Sequence, residues 1–505
     1  MDTPKREKII TPHDLVIPSI VGLFILLLIT AMLGGNYIVM SVVAMAPFCL
    51  LLLRKDIVAV LCITFYLSSF YYVGLPMNLE LYQLFMVLFV ILAGAERIIK
   101  KRCISFPPHL KMGLLFMGWL VIIVAIRGPA ISLLGSSDVG GAVYVHSFIA
   151  FGMYVFSGYL RLTERQWRIA LVTMLGMVAL QFFLNLVVVL SHGIFWYPLA
   201  FIKVGHGLAD TYAGYANDIS TTRWSIFQPV VLIYMVPVLF WPCRSRLNYI
   251  VYGLFFMISV LIALFSGFRT SLTHVGAFVF IFFVINARKA FRAAVLLILI
   301  GALTLGIASV FAEHMPFGVQ RVLSIVPGVT VGHEAGKAAS STLLWRKALW
   351  TMVIDNLPKY ALCGRGFGYS LDEYRHALFG YSFGSIWRTV YCAYIGGHMH
   401  QGVLDMLLFL GPIGGLLLVS WLISELVGNI RIHYQAWNNE RFKRYHLAFT
   451  VYYFVSILQF VVFEGRIQIA MIHLMFQMAV LRGLIVSDKN NTNDERLGVA
   501  CPNSV

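Results

Sequence analysis

Hydrophobic residues form long blocks along most of the chain, and polar residues are gathered in the shorter segments between them. A block of about 20 mainly apolar residues is long enough for an α-helix to cross the hydrocarbon core of a bilayer. By this rule the pattern predicts membrane spans over residues 15–33, 36–53, 57–73, 79–95, 110–126, 142–160, 169–190, 224–241, 249–265, 272–285, 294–310, 402–426, 446–462 and 467–485. We therefore expect an all-α fold, a polytopic membrane helix bundle of about 12–14 transmembrane helices.

The composition excludes an ordinary soluble protein. Hydrophobic residues make up 60% of the 505 residues, charged residues only 12%, and the mean hydropathy is +0.83. Soluble proteins have roughly 25% charged residues, so this chain has too little polar surface to cover soluble domains of its length. In a soluble protein, a net charge of +16 would suggest that nucleic acid is the binding partner. In a membrane protein, the distribution of the positive residues relative to the bilayer must be considered first.

Most of the 38 Lys and Arg residues lie in every second segment between predicted spans. Basic clusters occur at residues 5–8, 97–111, 161–168, 288–292 and 441–444. Positively charged loops stay on the cytoplasmic side, so we expect cytoplasmic N- and C-termini and a lipid bilayer, not nucleic acid, as the partner. The first apolar block is not followed by a cleavage pattern of small residues, and we expect it to remain as the first span.

This topology divides the chain into four regions. Residues 1–310 form an N-terminal transmembrane bundle of about 11 spans, and residues 402–486 hold the C-terminal spans. Residues 311–401 form a large loop on the outer face, with short helices. One of these is predicted between Thr342 and Leu357, where apolar residues recur at helical spacing. The polar tail, residues 487–505, is predicted to be a disordered cytoplasmic segment.

Two arginines lie on the outer side of the predicted spans. Arg269 follows a very short turn between two apolar spans, and Arg346 lies on the predicted helix of the outer loop. A side chain that snorkels to the interface would explain Arg269, and a solvated helix face would explain Arg346. The functional alternative is a guanidinium for an anionic group, because guanidinium binds phosphate through two parallel hydrogen bonds and keeps its charge.

The outer loop re-enters the membrane through residues 396–401 (GGHMHQ). His400 therefore lies at the boundary between water and lipid, beside glycines that permit close approach. His398, His400 and Asp405 have the residue types of a metal site, but no further ligand set accompanies them, so no metal is expected. Residues 364–368 (GRGFG) are interpreted as a turn, because the strand and helix that a dinucleotide site requires do not flank them.

These segments resemble the signature of bacterial O-antigen ligases, in which a His is followed by Asn, Ser or Gln, then nine residues, then GxxG. His400 and Gln401 match its beginning, and residues 411–414 (GPIG) match its end. Residues 345–350 (WRKALW), 355–358 (DNLP) and 363–368 (CGRGFG) are similar to the rest of that homology region, and residues 266–269 (SGFR) to the family's outer arginine. The similarity covers about residues 266–420.

The resemblance implies a membrane glycosyltransferase of the bacterial inner membrane, with its active site on the periplasmic face. Members transfer a glycan from undecaprenyl diphosphate to a hydroxyl of lipid A-core or of another glycan, with inversion and without metal or other cofactor. The resemblance assigns Arg269 and Arg346 to the diphosphate and His400 to the proton of the incoming hydroxyl. The further substrate-binding residues it implies are Arg365, His398 and Gln401.

Two other functions remain open on the sequence. A repeat-unit polymerase of O-antigen or exopolysaccharide belongs to the same superfamily and would use the same donor with a different acceptor. A polysaccharide transporter or flippase would not catalyse, and would require broken spans with paired charges near the middle of the membrane. The candidate residues of this chain lie instead at outer span ends.

Overall fold

The structure is a computed structural model that describes residues 55–67, 81–99, 108–128, 140–190, 229–240, 246–286, 309–324, 328–368, 371–382 and 385–499, with a few single residues between 295 and 326. The predicted spans 15–33 and 36–53, most of the span 294–310 and the N-terminal basic cluster lie outside the described residues. The predicted total of about 12–14 spans therefore remains a prediction.

Within the described ranges the chain forms helices and turns, and no strand. The α-helices include α1 (Lys55–Phe65), α2 (Leu81–Ile99), α3 (Pro108–Arg127), α4 (Gly141–Phe156), α5 (Glu164–Leu190), α6 (Met235–Phe240), α7 (Arg246–Phe265), α8 (Arg269–Asn286), α9 (Phe317–Leu323), α10 (His333–Asn356), α11 (Leu371–Phe379), α12 (Ile386–Gly396), α13 (Gly402–His433), α14 (Glu440–Leu458) and α15 (Ile467–Val499). A π-helix over Gln459–Glu464 continues α14. The prediction of an all-α fold is confirmed.

Eight of the described helices are long and apolar enough to cross a membrane, namely α2, α3, α4, α5, α8, α13, α14 and α15. A shorter apolar helix covers residues 250–265 within α7. The predicted span 224–241 is described over residues 229–240, where a 3-10 helix leads into the short helix α6. The described part of the chain is thus a multi-pass helix bundle.

Apolar side chains cover the outside of the bundle as well as its inside. On α3, Leu115, Val121 and Ile126 are each more than half exposed, whereas Phe116 and Leu120 are fully buried on the other face. Soluble proteins rarely expose contiguous apolar surface of this kind. A helix that is apolar on both faces is stable where hydrocarbon covers the outer one, which agrees with a lipid bilayer around the bundle.

The polar tail begins later than the sequence indicated. Trp167 Nε1 donates a hydrogen bond to Ser487 Oγ at 3.1 Å, and the amides of Asn438 and Asn439 donate to the Asp488 carboxylate at 3.2 and 2.9 Å. Ser487 and Asp488 are buried, and α15 continues through them to Val499. The prediction of a disordered tail from residue 487 is therefore corrected, because partners on α5 and before α14 hold the first two polar residues in the helix.

Residues 311–401, which the sequence predicts to form the outer loop and which are called the outer segment below, contain short helices, as predicted. The longest of these helices, α10, begins at His333, before the predicted start at Thr342, and ends at Asn356. Leu349 and Val353 on its apolar face are fully buried. Trp350 Nε1 donates to the carbonyl of Met399 at 2.9 Å. Helix α10 therefore packs on the bundle and contacts the segment through which the chain re-enters it.

Helix α13 is interrupted at Gly411, where φ is 69°, and Pro412 follows. Proline has no backbone N–H, so the helix cannot supply all the donors that its carbonyls need at this point. Three carbonyls just before the interruption accept hydrogen bonds from outside the helix. The pairs are Arg365 N to Leu408 O at 2.6 Å, Gly366 N to Phe409 O at 3.0 Å and Trp119 Nε1 to Leu410 O at 2.9 Å.

Residues 364–368 form a turn, as predicted, and the turn closes the interruption in α13. Gly364 and Gly366 have positive φ values of 68° and 72°. A Cβ atom on Gly364 would lie 2.5 Å from the Gly411 nitrogen, and one on Gly411 would lie 2.4 Å from the Leu362 carbonyl oxygen. Since neither position has room for a side chain, the two glycines allow the outer segment and α13 to meet backbone to backbone.

Candidate functional site

Arg269 is the first residue of α8 and follows a turn in which Gly267 has φ 72°. Its Nη2 donates to Ser324 Oγ at 2.9 Å, and its Nε is 3.3 Å from the carbonyl oxygen of Arg321. These contacts tie the very short predicted turn to α9 in the outer segment. Both acceptors are neutral, so they hold the guanidinium in place without cancelling its charge.

Arg346 lies on α10 and is half-buried. Its positive charge interacts with Arg269 on one side and with His400 on the other. The structure therefore brings together Arg269, Arg346 and His400, which are separated widely in the sequence. Two guanidinium groups that repel each other near a poorly solvated site attract an anion strongly, since the anion relieves the repulsion.

His400 lies between the end of α12 and the start of α13 and has a positive φ of 54°. Its ring packs edge-to-face against Trp345, with centroids 5.7 Å apart. Burial, together with the positive charges of Arg346 and Arg466 and the nearby His398, lowers the pKa of His400 to about 4. At neutral pH the imidazole is therefore uncharged, and one of its nitrogens can accept a proton.

Arg466 is a member of this site that was not among the predicted residues. It precedes α15, has φ 60°, and interacts electrostatically with His400. Its position is similar to that of Arg269, since Arg466 comes one residue after Gly465 and Arg269 two residues after Gly267, each in a short turn between two apolar spans. The same pattern would therefore have found Arg466 in the sequence.

Asp405 holds the turn that carries Arg466. Its side chain is fully buried on the first turn of α13. The carboxylate accepts hydrogen bonds from the backbone amides of Arg466 and Ile467, the second at 3.3 Å. A buried carboxylate of this kind is a structural acceptor, which the sequence did not distinguish from a metal ligand. No group of three or more His, Cys, Asp or Glu residues that could hold a metal ion occurs among the residues described.

His398 and Gln401 flank His400 in the re-entry segment. Helix α12 ends at Gly397 in the left-handed conformation, and the amide of His398 donates to the carbonyl of Ala393 at 2.9 Å. Gln401 is extended and caps α13 without a side-chain hydrogen bond to the helix, so its amide group is not used by the cap. His398 interacts electrostatically with the imidazole of His400, and Gln401 directly follows His400 in the chain.

Arg365 has a different environment from the other predicted arginines. It is buried, and its Nη2 lies 3.1 Å from the carboxylate of Glu373. Its guanidinium carbon lies 5.1 Å from the centre of the Tyr394 ring. The partners of Arg365 are therefore a carboxylate and an aromatic ring, and its backbone closes the interruption in α13. A substrate-binding role for Arg365 remains a prediction.

The bundle, its apolar exterior and its eight spanning helices define a multi-pass membrane protein of the all-α class. The end of the bundle that contacts residues 311–401, called its outer end below, carries guanidinium groups around a neutral histidine. Comparison of the sequence with protein-family models and with curated proteins found no match.

Proposed function

We propose that the protein is a membrane glycosyltransferase of the O-antigen ligase type. It transfers a glycan from a polyprenyl diphosphate, undecaprenyl diphosphate in bacteria, to an acceptor hydroxyl of lipid A-core or of another glycan. The observation that carries the proposal is the juxtaposition of Arg269 and Arg346 with an uncharged His400. A reaction that expels a diphosphate and takes up a hydroxyl proton needs those two kinds of group together.

In the proposed reaction the acceptor oxygen attacks the anomeric carbon of the glycan. The proton of the acceptor hydroxyl passes to His400, and the bond between the anomeric carbon and the phosphate oxygen breaks. The electron pair of that bond leaves with the polyprenyl diphosphate, whose growing negative charge is stabilised by Arg269 and Arg346. A single displacement of this kind inverts the anomeric configuration. The diphosphate itself offsets the cations around His400 and raises the basicity of the imidazole when the donor is bound.

The proposed location is the bacterial inner membrane, with the site on the periplasmic face and both termini in the cytoplasm. The distribution of basic residues over alternate segments supports this orientation. The apolar exterior of the bundle supports lateral entry of a lipid-linked donor from the bilayer.

A transporter or flippase would use an interrupted helix to expose backbone groups to its substrate. Helix α13 is interrupted, but the three carbonyls before Gly411 already accept hydrogen bonds from the protein. The interruption therefore supports a structural joint between α13 and the outer segment. This favours a fixed outer site over a transport pathway through the break.

The proposal is tested with the purified full-length protein in lipid nanodiscs. A polyprenyl-diphosphate-linked glycan is supplied alone, with lipid A-core, or with a second lipid-linked repeat unit. Product only with lipid A-core indicates a ligase, and longer lipid-linked glycan indicates a polymerase. We expect His400→Ala, Arg269→Ala and Arg346→Ala to abolish either product while the protein remains folded. Full turnover in all three variants, or no product with any acceptor, would contradict the proposal.

A further inference from the structure

Helix α10 carries two tryptophans at the two ends of residues 345–350 (WRKALW), and both contact the segment that holds His400. Trp345 and Trp350 are partly buried against the core of the bundle. Only Arg346, which lies between them, takes part in the proposed reaction. The two indole groups therefore need an explanation of their own.

Trp350 holds the backbone on the N-terminal side of His400. Its Nε1 donates to the carbonyl of Met399 at 2.9 Å, and the amide of Met399 donates to the buried carboxylate of Asp405. The peptide that leads into His400 is thus bound on both sides, in a conformation where His400 has φ 54°. With the backbone held in this way, the orientation of the imidazole depends on rotation about its own side-chain bonds.

Trp345 limits that rotation. Its indole and the imidazole of His400 meet edge-to-face, with ring centroids 5.7 Å apart and planes inclined at 68°. Edge-to-face packing is a favoured arrangement of two aromatic rings, and a turn of the imidazole about its Cβ–Cγ bond would lose it. The direction in which the ring nitrogens of His400 point therefore depends on where the indole of Trp345 is held.

Thr389 on α12 holds the indole. Trp345 Nε1 donates to Thr389 Oγ1 at 3.1 Å, and the Thr389 hydroxyl in turn donates to the carbonyl of Ile386, one turn earlier on α12, at 2.7 Å. The hydroxyl hydrogen is used by α12 itself, so the lone pairs of Oγ1 remain for the indole N–H. Contacts thus run from the backbone of α12 through Thr389 and Trp345 to the ring of His400.

We propose that Trp345 and Thr389 are positioning residues, which orient the imidazole of His400 so that one ring nitrogen faces the acceptor hydroxyl. The inference rests on the proposed function, because a general base acts only when its nitrogen lies within hydrogen-bond reach of the proton that it accepts. Since Arg346 lies on the same helix, α10 fixes the base and one of the cations relative to each other.

The test uses four variants of the full-length protein in nanodiscs. Thr389→Val removes the acceptor hydroxyl at an exposed position, and Trp345→Phe removes the indole donor but keeps an aromatic ring. Thr389→Ser keeps the hydroxyl and is the conservative variant. Trp387→Phe is the matched control, because Trp387 also lies on α12 and its side chain is 47% exposed.

Three quantities are measured for each variant, after thermal unfolding has established that it is folded. They are kcat for glycan transfer, the affinity for undecaprenyl diphosphate, and the NMR resonances of the His400 ring, which the ring current of Trp345 displaces. The NMR measurement needs no turnover. It therefore reports on the orientation of His400 independently of the proposed reaction.

We expect Thr389→Val and Trp345→Phe each to lower kcat about three- to tenfold, the loss that corresponds to one hydrogen bond, without a change in the affinity for undecaprenyl diphosphate. The His400 resonances should move in both variants. Both substitutions remove the same hydrogen bond, so the double variant should be no slower than Trp345→Phe alone. Thr389→Ser and Trp387→Phe should resemble wild type in all three quantities.

Two results would overturn the positioning role and leave the proposed function intact. One is an additive loss of kcat in the double variant, and the other is a set of His400 resonances that does not move in Thr389→Val. Wild-type protein that transfers no glycan would contradict the proposed function, and with it a catalytic purpose for the contact, even where the His400 resonances respond as expected.

Discussion

His400 and Arg466 are the two non-glycine residues with positive φ in the described part of the chain, at 54° and 60°. Each lies in a tight reversal at the outer end of the bundle, and their side chains interact electrostatically. A non-glycine residue in this conformation costs about 1–3 kcal/mol and persists where its surroundings fix it. The buried carboxylate of Asp405 fixes the second reversal, so we expect His400 and Arg466 to be held in a fixed relationship.

The first prediction concerns Asp405. In Asp405→Ala, the buried amides of Arg466 and Ile467 lose their acceptor, and each unsatisfied amide costs about 1–3 kcal/mol. We expect a lower unfolding temperature and loss of glycan transfer. Asp405→Asn is the control, because its side-chain oxygen can still accept from these amides, and it should retain more stability than the alanine variant. Equal stability of wild type and Asp405→Ala would contradict the assigned role.

The second prediction concerns the pH dependence of transfer. Burial and the positive charge of Arg346 lower the pKa of His400, which lies at about 4. Removing that charge in Arg346→Gln favours the protonated imidazole, so the pKa of His400 should rise towards its usual value near about 6.5.

We therefore expect the acid limb of kcat/KM to move to higher pH in Arg346→Gln, on top of a lower maximal rate. NMR titration of His400 would follow the same shift directly. Arg346→Lys keeps the charge, and its acid limb should stay close to that of wild type. If the acid limb is unchanged in Arg346→Gln, the charge of Arg346 does not influence the pKa of the group that titrates there, and the prediction is wrong.

The third prediction concerns the contact between Gly364 and Gly411. A Cβ atom at either position would lie within 2.5 Å of backbone atoms of the other segment, and both have positive φ. We expect Gly411→Ala and Gly364→Ala each to destabilise the fold by at least about 2 kcal/mol, because strain and overlap add. Thermal unfolding in nanodiscs measures the effect.

The matched control for that prediction is Gly118→Ala. Gly118 lies within α3, and no atom lies within 4 Å of the position of its added Cβ. Alanine in a helix interior is favoured over glycine by about 1 kcal/mol, so this variant should be neutral or more stable. If Gly118→Ala lost a similar amount of stability, the loss in the other two variants could not be attributed to the close contact between Gly364 and Gly411.

The fourth prediction separates two arginines that the sequence treats alike. Arg365 is buried with Glu373 as its ion-pair partner, whereas Arg269 contacts a hydroxyl and a carbonyl. Arg365→Met removes the buried member of the pair while the Glu373 side chain is 28% exposed, so we expect a cost below the about 3–5 kcal/mol of a fully buried pair. We expect Arg365→Met to lower the unfolding temperature, and Arg269→Met to lower the affinity for undecaprenyl diphosphate with little effect on unfolding. If Arg365→Met lowered the affinity for undecaprenyl diphosphate and Arg269→Met lowered the unfolding temperature, the roles assigned to the two arginines would be wrong.

The sequence predicts the parts of this fold that depend on local spacing. The start of α13 at Gly402 and the buried face of α10 at Leu349 and Val353 follow from apolar blocks and helical periodicity, and both are confirmed. The very short turn before Arg269 is found for the same reason. In each case the residues whose spacing supports the prediction lie within one or two turns of a helix.

The relationships between distant segments could not be read in this way. The spacing that makes residues 364–368 a turn does not indicate that Arg365 donates to Leu408, or that Glu373 is its ion-pair partner. Asp405 has the residue type of a metal ligand, and only the fold places its carboxylate against the amides of another turn. The contacts of Arg365 with Leu408 and of Asp405 with Arg466 join segments more than 40 residues apart, so they depend on how the helices pack.

The closure of α13 by the outer segment has a consequence for biogenesis. The outer segment precedes α13 in the chain, so it is synthesised before residues 402–433. Until the turn at residues 364–368 docks, the carbonyls of Leu408 and Phe409 lack the donors they have in the finished protein. We therefore expect α13 and the outer segment to complete their folding together, because a chain in which the turn has not docked leaves these two carbonyls without their donors.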